Sequence, residues 1–407
     1  MSEAMQTDVL IIGGGGVGAS LALALAKEGL SSVVCDPIPF EAATAPEFDG
    51  RAYAVALSSI RMLRALDVWP AIAPKGQEIK DILVSDGRPG ENASPYFLHF
   101  DHRELGPEGF GVMVEDRDLR AGILGAAGAA PLVSYLDGVA AEDWEISEGW
   151  ATARLSDGRT VRARTLVGCD GRNSRVAQRA GIDRTTIEYG QIGLVCAVAH
   201  EKPHHGVAHE YFLPAGPFAI LPLQGNRSSL VWTEREDMAE AMRNVSDEIY
   251  LAEVRRRFGT FLGEVALEGK RWAYPLNLTV ARRTVAPRMA LAGDAARGMH
   301  PIAGQGLNYG LRDAAALAQV LGEAARLGED IGSLAVLERY QRWRLPDTTV
   351  ISLATHGINR LFSNDLAPVR LARRVGLWAF GQVGPLRRGA MAAAAGAQPG
   401  LPKIMSG

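Results

Sequence analysis

Residues 8–36 read DVLIIGGGGVGASLALALAKEGLSSVVCD, and this stretch decides the fold. The apolar run Asp8–Ile12 has the length of a buried parallel strand. Val17–Lys27 has the apolar spacing of a helix, and Gly29 follows it as a C-cap. Ser32–Cys35 is a second apolar run. The order of strand, glycine turn, helix and strand predicts the βαβ unit that opens an α/β domain.

The glycine turn has the spacing G-x-G-x-x-G, with Gly13, Gly15 and Gly18 at its three positions. In this motif the first glycine makes the tight turn, the second admits a pyrophosphate, and the third lets helix and strand pack closely. Asp36 ends the next strand, where a carboxylate accepts hydrogen bonds from both ribose hydroxyls. The motif predicts a dinucleotide site without separating NAD from FAD, and a plain glycine turn stays open as an alternative.

Composition places the chain among globular α/β proteins of two or three domains. Its 407 residues are 47% hydrophobic and 22% charged, which excludes a disordered chain. With a formal net charge of −3, the chain lacks the overall positive potential that would attract nucleic acid. Val9–Ala26 carries no charge, but four glycines interrupt it and no Lys or Arg precedes it. Strand, turn and helix are therefore favoured there over a signal peptide or a membrane span.

The number of cysteines argues against a disulfide framework, and the sequence around the histidines argues against a metal site. The chain has three cysteines, each in an apolar run typical of a strand, which predicts buried free thiols and fits a reducing compartment. Four histidines cluster between residues 200 and 209, where Pro203 and Gly206 predict a solvated loop, so we expect no metal site. These residues are Cys35, Cys169, Cys196, His200, His204, His205 and His209.

The sequence pattern changes over residues 181–280. Short strand-like runs predominate there, and they predict an antiparallel sheet that forms a second domain. Strand-like runs separated by Pro, Gly and Asn alternate there with one helix, Asp247–Phe258. The runs are Ile187–Ala199, Glu210–Leu213, Phe218–Leu223 and Ser228–Glu234. Upstream, Trp144–Leu155 and Thr160–Gly168 are predicted as single strands joined by a turn at Asp157-Gly158.

A second glycine-rich stretch follows this region. Residues 291–313 read LAGDAARGMHPIAGQGLNYGLRD, so a strand ends at Gly293-Asp294 and a helix begins near Gly304–Asn308. Backbone N–H groups at that helix start would stabilise negative charge on a bound group. Between the two glycine stretches, residues 166–175 read LVGCDGRNSR, with Asp170-Gly171 ending a strand. An ordinary Asp-Gly turn with a helix cap explains that middle motif equally well.

The three motifs together resemble those of the single-component FAD-dependent aromatic hydroxylases (class A flavoprotein monooxygenases). The resemblance covers essentially the whole chain, and further matches are specific to the ubiquinone-biosynthesis hydroxylases within that class. These matches are GRAYAVALS at Gly50–Ser58, VEDRDLR at Val114–Arg120, GPFAILPL at Gly216–Leu223 and NRLFSND at Asn359–Asp365.

The resemblance implies a Rossmann-like α/β FAD-binding domain of the glutathione-reductase type, arranged as in para-hydroxybenzoate hydroxylase. An inserted antiparallel-sheet substrate domain and C-terminal helices complete the expected fold. The expected boundaries are 1–75, 110–180 and 281–345 for the FAD-binding domain, 76–109 and 181–280 for the substrate domain, and 346–407 for the C-terminal helices.

The resemblance also implies how FAD is held. The first glycine stretch cradles the pyrophosphate, Asp36 holds the adenosine ribose, and Arg51 and Arg117 reach the phosphates and the ribityl chain. Asp294 binds the ribityl chain, the second glycine stretch lines the isoalloxazine, and Asp170 serves both FAD and NAD(P)H. The implied cofactor-binding residues are Gly13, Gly15, Val17, Gly18, Asp36, Arg51, Arg117, Asp170, Asp294, Pro301, Gly304, Gln305, Gly306, Leu307 and Asn308.

The implied reaction uses NAD(P)H and O2 to hydroxylate the aromatic ring of a polyprenylated phenol in ubiquinone biosynthesis, through a flavin C4a-hydroperoxide. The cofactor performs the difficult step, so we expect no acid–base dyad, and the backbone at Pro301 and Gly304 forms the catalytic flavin environment. We hypothesise that one apolar pocket receives the ring, although ordinary sheet core is an open alternative. The pocket residues are Phe212, Phe218, Leu221, Pro222 and Leu223.

The segment Arg360–Gly407 carries seven Lys or Arg and one acidic residue, with apolar residues interleaved. This basic amphipathic pattern favours peripheral contact with the inner face of a membrane or with other quinone-biosynthesis proteins, and a docked terminal helix stays open. We expect a cytoplasmic protein.

The chain departs from the family pattern at Arg297, Ala177 and Asp36, where relatives commonly have His, Arg and Glu. Hydroxylation of a small soluble aromatic, or a non-catalytic flavin-fold subunit, remain the alternative functions.

Overall fold

The computed structural model describes residues 4–91, 94, 96–106, 108–147, 149–299, 305–362 and 367–406. The strands are β1 Met5–Ile12, β2 Ser32–Asp36, β3 Ala52–Ala56, β4 Gln77–Ile79, β5 Asp81–Asp86, β6 Leu98–Asp101, β7 Gly111–Glu115, β8 Val133–Asp137, β9 Ala141–Ser147, β10 Trp150–Leu155, β11 Thr160–Gly168, β12 Arg184–His200, β13 Val207–Leu213, β14 Gly216–Leu223, β15 Arg227–Arg235, β16 Val265–Ala281, β17 Val285–Ala286, β18 Met289–Leu291 and β19 Arg297–Gly298. The helices are α1 Gly16–Lys27, α2 Phe40–Ala43, α3 Leu57–Ala65, α4 Trp69–Ile72, α5 Asp116–Ala129, α6 Arg175–Arg179, α7 Glu236–Asn244, α8 Asp247–Phe258, α9 Gln305–Arg326, α10 Leu334–Phe362, α11 Ala367–Gln382, α12 Gly384–Ala394 and α13 Lys403–Ser406.

The first sheet has the order β17-β18-β11-β1-β2-β8, with β10 and β9 extending from β11 as a hairpin. β1 pairs in parallel with both β2 and β11, and β18 pairs in parallel with β11. The carboxyl ends of these strands therefore meet at one edge, which is where open α/β sheets bind ligands. The predicted βαβ opening and α/β fold class are confirmed.

Close packing of α1 on α9 brings the beginning and the later part of the chain together. A Cβ added at Gly310 would lie 2.5 Å from Cγ2 of Val17, so only glycine admits that side chain. Both helices pack their apolar sides into one core, in which Leu21, Leu25, Leu311 and other residues are fully buried. This packing places the N-terminus of α9 beside the glycine turn that precedes α1.

The second sheet has the order β19-β16-β12-β15-β14-β13-β5-β6 and is antiparallel except where β13 pairs with β5. One face packs against α7 and α8, and we call it the outer face. The opposite face packs against β3, β7, α11 and α12, and we call it the inner face. The sheet thus joins strands from residues 81–101 to strands from 184–281, and the division into domains remains our proposal.

Several predicted elements agree with the structure, and others do not. The predictions of α8 and β11 match to the residue. The prediction of one strand over Trp144–Leu155 is wrong, because β9 and β10 form an antiparallel hairpin there. A further helix in the second region, α7, was not predicted. Across the described ranges, each helix is too short or too polar to cross a bilayer.

Candidate functional site

The glycine turn between β1 and α1 needs glycine at two positions for the protein's own packing. Gly13 has φ +101°, and a Cβ there would lie 2.4 Å from the carbonyl oxygen of Cys169. A Cβ at Gly18 would lie 2.0 Å from the carbonyl oxygen of Gly13. Gly15 is different, because it is exposed and an added Cβ would meet no protein atom within 4 Å. The open space at Gly15 is therefore available to a ligand that approaches the backbone closely.

Asp36 lies beside this turn at the end of β2. Its Oδ2 accepts a hydrogen bond from the N–H of Gly14 at 2.7 Å, and its Oδ1 accepts one from Ile38 at 2.8 Å. Tyr135 donates its hydroxyl to the carbonyl oxygen of Gly14 at 2.7 Å. Burial, together with the nearby Asp36 charge, raises the pKa of Tyr135. Each carboxylate oxygen of Asp36 retains a further acceptor site, which suits a ribose diol.

A cleft of about 260 Å³ connects the glycine turn to the N-terminus of α9. An added Cβ at Gly16 would lie 3.6 Å from Cδ1 of Leu307, so the two glycine-rich stretches that the sequence singled out lie side by side. The lining residues are Gly14, Gly15, Gly16, Asp36, Ile38, Ala43, Tyr53, Asp116, Leu119, Arg120, Ile123, Leu124, Tyr135 and Leu307. The structure thereby provides one continuous site rather than two separate glycine loops.

The second glycine stretch supplies the first turn of α9, which contains Gln305, Gly306 and Leu307. Pro301 and Gly304 lie outside the described residues. The side chain of Asn308 is buried and turned away from the cleft. Its Oδ1 accepts from the N–H of Ala56 at 2.9 Å and from Oγ of Ser59 at 2.8 Å. We therefore limit any cofactor contact of Asn308 to its backbone.

Arg297 belongs to a buried ion-pair cluster rather than to the surface of the cleft. Its Nη1 lies 3.1 Å from Oδ2 of Asp313, whose Oδ1 also accepts from Nε of Arg344 at 2.7 Å. Asp313 is fully buried and additionally accepts from the N–H of Gly293 at 3.2 Å. This cluster fixes the Gly293-Asp294 turn against α9. It gives a structural role to the arginine that replaces the histidine common in the family.

Arg172 joins the middle motif to the second glycine stretch, and the sequence reasoning missed it. Its Nε lies 3.2 Å from Oδ2 of Asp294, and its Nη2 donates to the carbonyl oxygen of Met299 at 2.9 Å. Asp170 accepts from the N–H of Val176 at 3.0 Å and so caps α6. The position next to an Asp-Gly turn was the available signal for Arg172.

Two predicted FAD contacts, Arg51 and Arg117, do not line the cleft. Arg51 pairs with Asp116 at 2.9 Å, and Arg117 pairs with Glu115 at 2.7 Å. Arg120 does line the cleft, where it pairs with Asp116 at 2.7 Å. The VEDRDLR motif contained Arg120, but only Arg117 was selected from it. A role of Arg51 or Arg117 toward FAD remains a proposal.

The five predicted ring-pocket residues do not share one face of the sheet. Register pairs Phe212 with Pro217, so Phe212 lies on the same face as Leu221 and Leu223. These three belong to the inner face. Phe218 and Pro222 lie on the outer face, because side chains alternate along a strand, and Phe218 is fully buried against α7 and α8. The hypothesis of one pocket lined by all five is therefore wrong, and a ring pocket at Phe212, Leu221 and Leu223 remains a proposal.

The C-terminal helices cover part of the inner face. The rings of Phe212 and Phe362 are stacked with centroids 4.0 Å apart. On α11, Arg373 is buried and its Nη2 lies 3.0 Å from Oδ1 of Asp86, while Trp378 is 48% exposed. Among the described side chains of α11, Arg373 and Leu377 therefore face the sheet while Val375 and Trp378 are exposed, and contact of this region with a membrane or a partner remains a proposal.

The histidine cluster also differs from its prediction. His200 and His204 are buried rather than solvated, and Nε2 of His204 lies 2.7 Å from the carbonyl oxygen of Leu223. Cys35 and Cys196 are free and buried in strands as predicted, and Cys169 is partly exposed directly after β11. Among described residues, the group with potential metal-ligand atoms close together is Asp81, Asp101 and His102.

Comparison with known proteins assigns the chain to a family. Residues 6–351 match the FAD binding domain family. The chain belongs to this family. It is 48% identical over 404 residues to ubiquinone hydroxylase UbiL of Rhodospirillum rubrum, covering 98% of this chain and 92% of that protein. It is 34% identical over 393 residues to 3-demethoxyubiquinol 3-hydroxylase of Escherichia coli, covering 96% and 98%.

These relatives also place the chain among the ubiquinone hydroxylases, which are FAD-dependent monooxygenases, and confirm the resemblance of its motifs. Among solved structures, p-nitrophenol 4-monooxygenase PnpA of Pseudomonas putida has a TM-score of 0.78 at 18% identity, covering 99% of each chain. That likeness confirms the fold. The open space at Gly15 and the two acceptor oxygens of Asp36 fit the pyrophosphate and ribose of FAD.

Proposed function

We propose that the chain uses FAD, NAD(P)H and O2 to hydroxylate the aromatic ring of a polyprenylated phenol in ubiquinone biosynthesis. The observation that carries this proposal is the cleft that joins Gly14–Gly16 to Leu307, because it unites both glycine stretches in one site. The names of the two ubiquinone-related relatives support the class of substrate.

FAD, when bound, supplies the chemistry that activates O2. The protein's residues hold and surround it: the N–H groups at the start of α1 favour the pyrophosphate, and Asp36 accepts from ribose hydroxyls. The N–H groups at the start of α9 favour negative charge on the reduced ring system. The Asp313 cluster fixes the turn that carries Asp294, which we assign to the ribityl chain.

The ring of the substrate binds, in this proposal, on the inner face beside Phe212 and Leu221. Leu221 is partly exposed although it is apolar, which leaves accessible apolar surface there. Phe362 of α10 packs directly on Phe212, so a prenyl tail leaving this surface meets the C-terminal helices. Apolar contact excludes water from the reacting ring.

We further propose that α10 and α11 contact the membrane in which such a substrate resides. Their exposed apolar side chains form what we call the C-terminal apolar surface, which includes Val350, Leu353, Leu361, Val375 and Trp378. Extended exposed apolar patches mark sites of membrane or protein contact. Because Arg373 and Arg374 face Asp86, apolar burial rather than basic charge drives this contact.

The test is incubation of the FAD-loaded protein with NAD(P)H, O2 and 2-farnesylphenol, a short-chain prenylated phenol. Mass spectrometry should show a product that has gained one oxygen atom, and a strain lacking the protein should accumulate the unhydroxylated quinone precursor. Coupled hydroxylation of simple soluble phenols with no action on the prenylated probe would instead establish the small-aromatic alternative. NAD(P)H oxidation that stays at background with every precursor would favour the non-catalytic subunit.

A further inference from the structure

One row of paired residues crosses the inner face of the second sheet. Glu210 on β13 pairs with Ala219 on β14, and Ala219 pairs with Val231 on β15. The row continues through Val195 on β12 to Trp272 on β16. In the other direction Glu210 pairs with Val84 on β5, which pairs with Leu98 on β6. Seven strands therefore contribute one residue each, and Glu210 is the single titratable residue among them.

The carboxylate of Glu210 lies among apolar side chains of the proposed ring pocket. Ala208 and Phe212, which lie two residues away on the same strand, point to the same face. Leu221 on the adjacent strand is partly exposed, as is Glu210 itself. No hydrogen bond or ion pair connects Glu210 to another side chain in the part of the chain that the structure describes. A carboxylate placed this way has its acceptor oxygens available to a ligand.

The charged groups near this part of the inner face are already paired elsewhere. Asp86 on β5 faces Arg373 and Arg374 of α11, at 3.0 Å and 3.6 Å. Arg227 on β15 pairs with Glu115 of β7 and with Glu268 of β16, each at 2.7 Å. Among the side chains that the structure describes, no cation therefore pairs with Glu210, and burial raises its pKa to about 7.

The titratable residue next to Glu210 on its own strand and the arginine at the β16 end of the row are both engaged elsewhere. His209 precedes Glu210 but points to the outer face, where its ring lies 4.8 Å from that of Phe261. At the far end, Arg51 stacks on Trp272 at 4.9 Å and pairs with Asp116. The row thus presents one uncompensated carboxylate to an otherwise apolar surface.

We propose that Glu210 is the general base that accepts the phenolic proton of the substrate while its ring is hydroxylated. This inference rests on the proposed function and adds a side chain to a reaction for which the sequence suggested no acid–base group. A phenol is a weak nucleophile at carbon compared with its phenolate. A base beside the phenolic oxygen raises the electron density of the ring at the moment of attack, and such catalysis contributes about 10²–10⁴-fold.

The phenolic O–H bond breaks and its proton goes to the Glu210 carboxylate, while the ring carbon forms a C–O bond to one oxygen atom of O2 and the O–O bond breaks. NAD(P)H supplies the two electrons, and NAD(P)H and solvent supply the hydrogens, that convert the other oxygen atom to water. The resulting dienone regains aromaticity when the ring carbon loses its proton to solvent and the ring oxygen takes back the proton from Glu210.

The first test measures binding rather than turnover. The FAD-loaded protein is titrated with 2-farnesylphenol and with its O-methyl ether, which has no proton to donate. We expect the wild type to prefer the phenol by about tenfold or more, since only the phenol can donate a hydrogen bond to the charged carboxylate. Glu210→Gln keeps an acceptor oxygen and should keep part of the preference, whereas Glu210→Leu should lose it. Equal affinity of the wild type for both probes would overturn the inference.

The second test separates a base from a positioning residue. The kcat/KM of the wild type should fall below an apparent pKa near 7, where Glu210 becomes protonated. In Glu210→Gln this acid limb should vanish, and hydroxylation should drop about 100-fold while NAD(P)H consumption continues as hydrogen peroxide release. Glu210→Asp should restore part of the rate. Glu145→Gln, an exposed carboxylate on β9, is the matched control and should behave as the wild type.

Failure of the proposed function and failure of the inference about Glu210 give different experimental results. A wild type that leaves 2-farnesylphenol unchanged overturns the proposed function, whatever the variants do. An active wild type together with a Glu210→Gln variant of equal coupled rate and unchanged pH profile overturns the inference about Glu210 alone. FAD content and circular dichroism of each variant establish that it is folded before either comparison is made.

Discussion

Arg373 of α11 and Asp86 of β5 form a buried ion pair, with Nη2 of the arginine 3.0 Å from Oδ1 of the aspartate. The pair fixes the rotation of α11 about its axis. Charged side chains face the second sheet as a result, and Val375 and Trp378 face outward. The buried arginine therefore makes the exposed side of α11 less basic than the sequence pattern suggests.

Arg373→Met should lower the free energy of unfolding by about 3–5 kcal/mol, because it removes a buried cation that pairs with the buried Asp86 carboxylate. Urea denaturation followed by circular dichroism measures the effect. Arg235→Met is the matched control, since Arg235 and Asp237 form an exposed pair with 69% and 66% of their side chains accessible. The control substitution should lower the free energy of unfolding by less than about 1 kcal/mol. Equal effects of the two substitutions would contradict the buried-pair argument.

The C-terminal apolar surface should bind neutral phosphatidylcholine vesicles, and added salt should not release the protein. A double substitution, Val375→Ser with Trp378→Ser, should weaken vesicle binding about tenfold or more, because it removes apolar area from the contact. Flotation assays at low and high ionic strength provide the measurement. Leu327→Ser is the control, since Leu327 is 74% exposed at the end of α9. Binding that requires anionic lipid and disappears in salt would refute this driving force.

Two alanine substitutions in the glycine turn should have opposite consequences. Gly18→Ala drives a Cβ to 2.0 Å from a backbone oxygen, so the flavin-free protein should lose stability. Gly15→Ala meets no protein atom within 4 Å, so the unfolding midpoint of the flavin-free protein should stay unchanged. Its affinity for FAD should fall, because the new methyl group occupies the space of the pyrophosphate. Thermal unfolding and FAD fluorescence quenching measure the two effects, and wild-type FAD affinity in Gly15→Ala would argue against this placement.

Glu210→Gln should stabilise the protein in a pH-dependent way. The pKa of Glu210 is raised on folding from its ordinary 4.5 to about 7, so the folded protein binds its proton more tightly than the unfolded chain. The stability of the wild type therefore falls as pH rises from about 4.5 through about 7 and is constant above. The free energy of unfolding of the variant does not fall in this way. It should exceed that of the wild type by about 3 kcal/mol at pH 8 and equal it at pH 4. Urea unfolding at both pH values tests it, and a pH-independent difference would show that the carboxyl is solvated.

Local motifs allowed the first sheet to be predicted, because the strand, turn and helix over residues 8–36 carry their signals within a short window. The hairpin of β9 and β10 was missed although Gly149 lies between the two strands as a turn signal. The orientation of α11 was not available from local pattern at all. It depends on Asp86, which is 287 residues away in the chain from Arg373.

In the candidate site, too, the features with local sequence signals were predicted and those that depend on distant contacts were missed. The two glycine stretches and Asp36 were predicted, and they meet at the cleft. The error over the ring pocket was avoidable, because positions 218 and 221 of one strand differ by an odd number and must face opposite sides. Glu210 also carried a signal, as a carboxylate inside a predicted strand. Tyr135 carried none, because its contact with Gly14 follows from parallel pairing of β2 with β8.

The bond between the N–H of Ala56 and the side chain of Asn308 closes a loop of 252 residues. β18, which borders β11 in the first sheet, also comes from the later half of the chain. During synthesis the ligand site therefore lacks its second wall until α9 has left the ribosome. A nascent chain truncated before α9 would expose the apolar side of α1 that α9 covers, and such exposed surface favours aggregation.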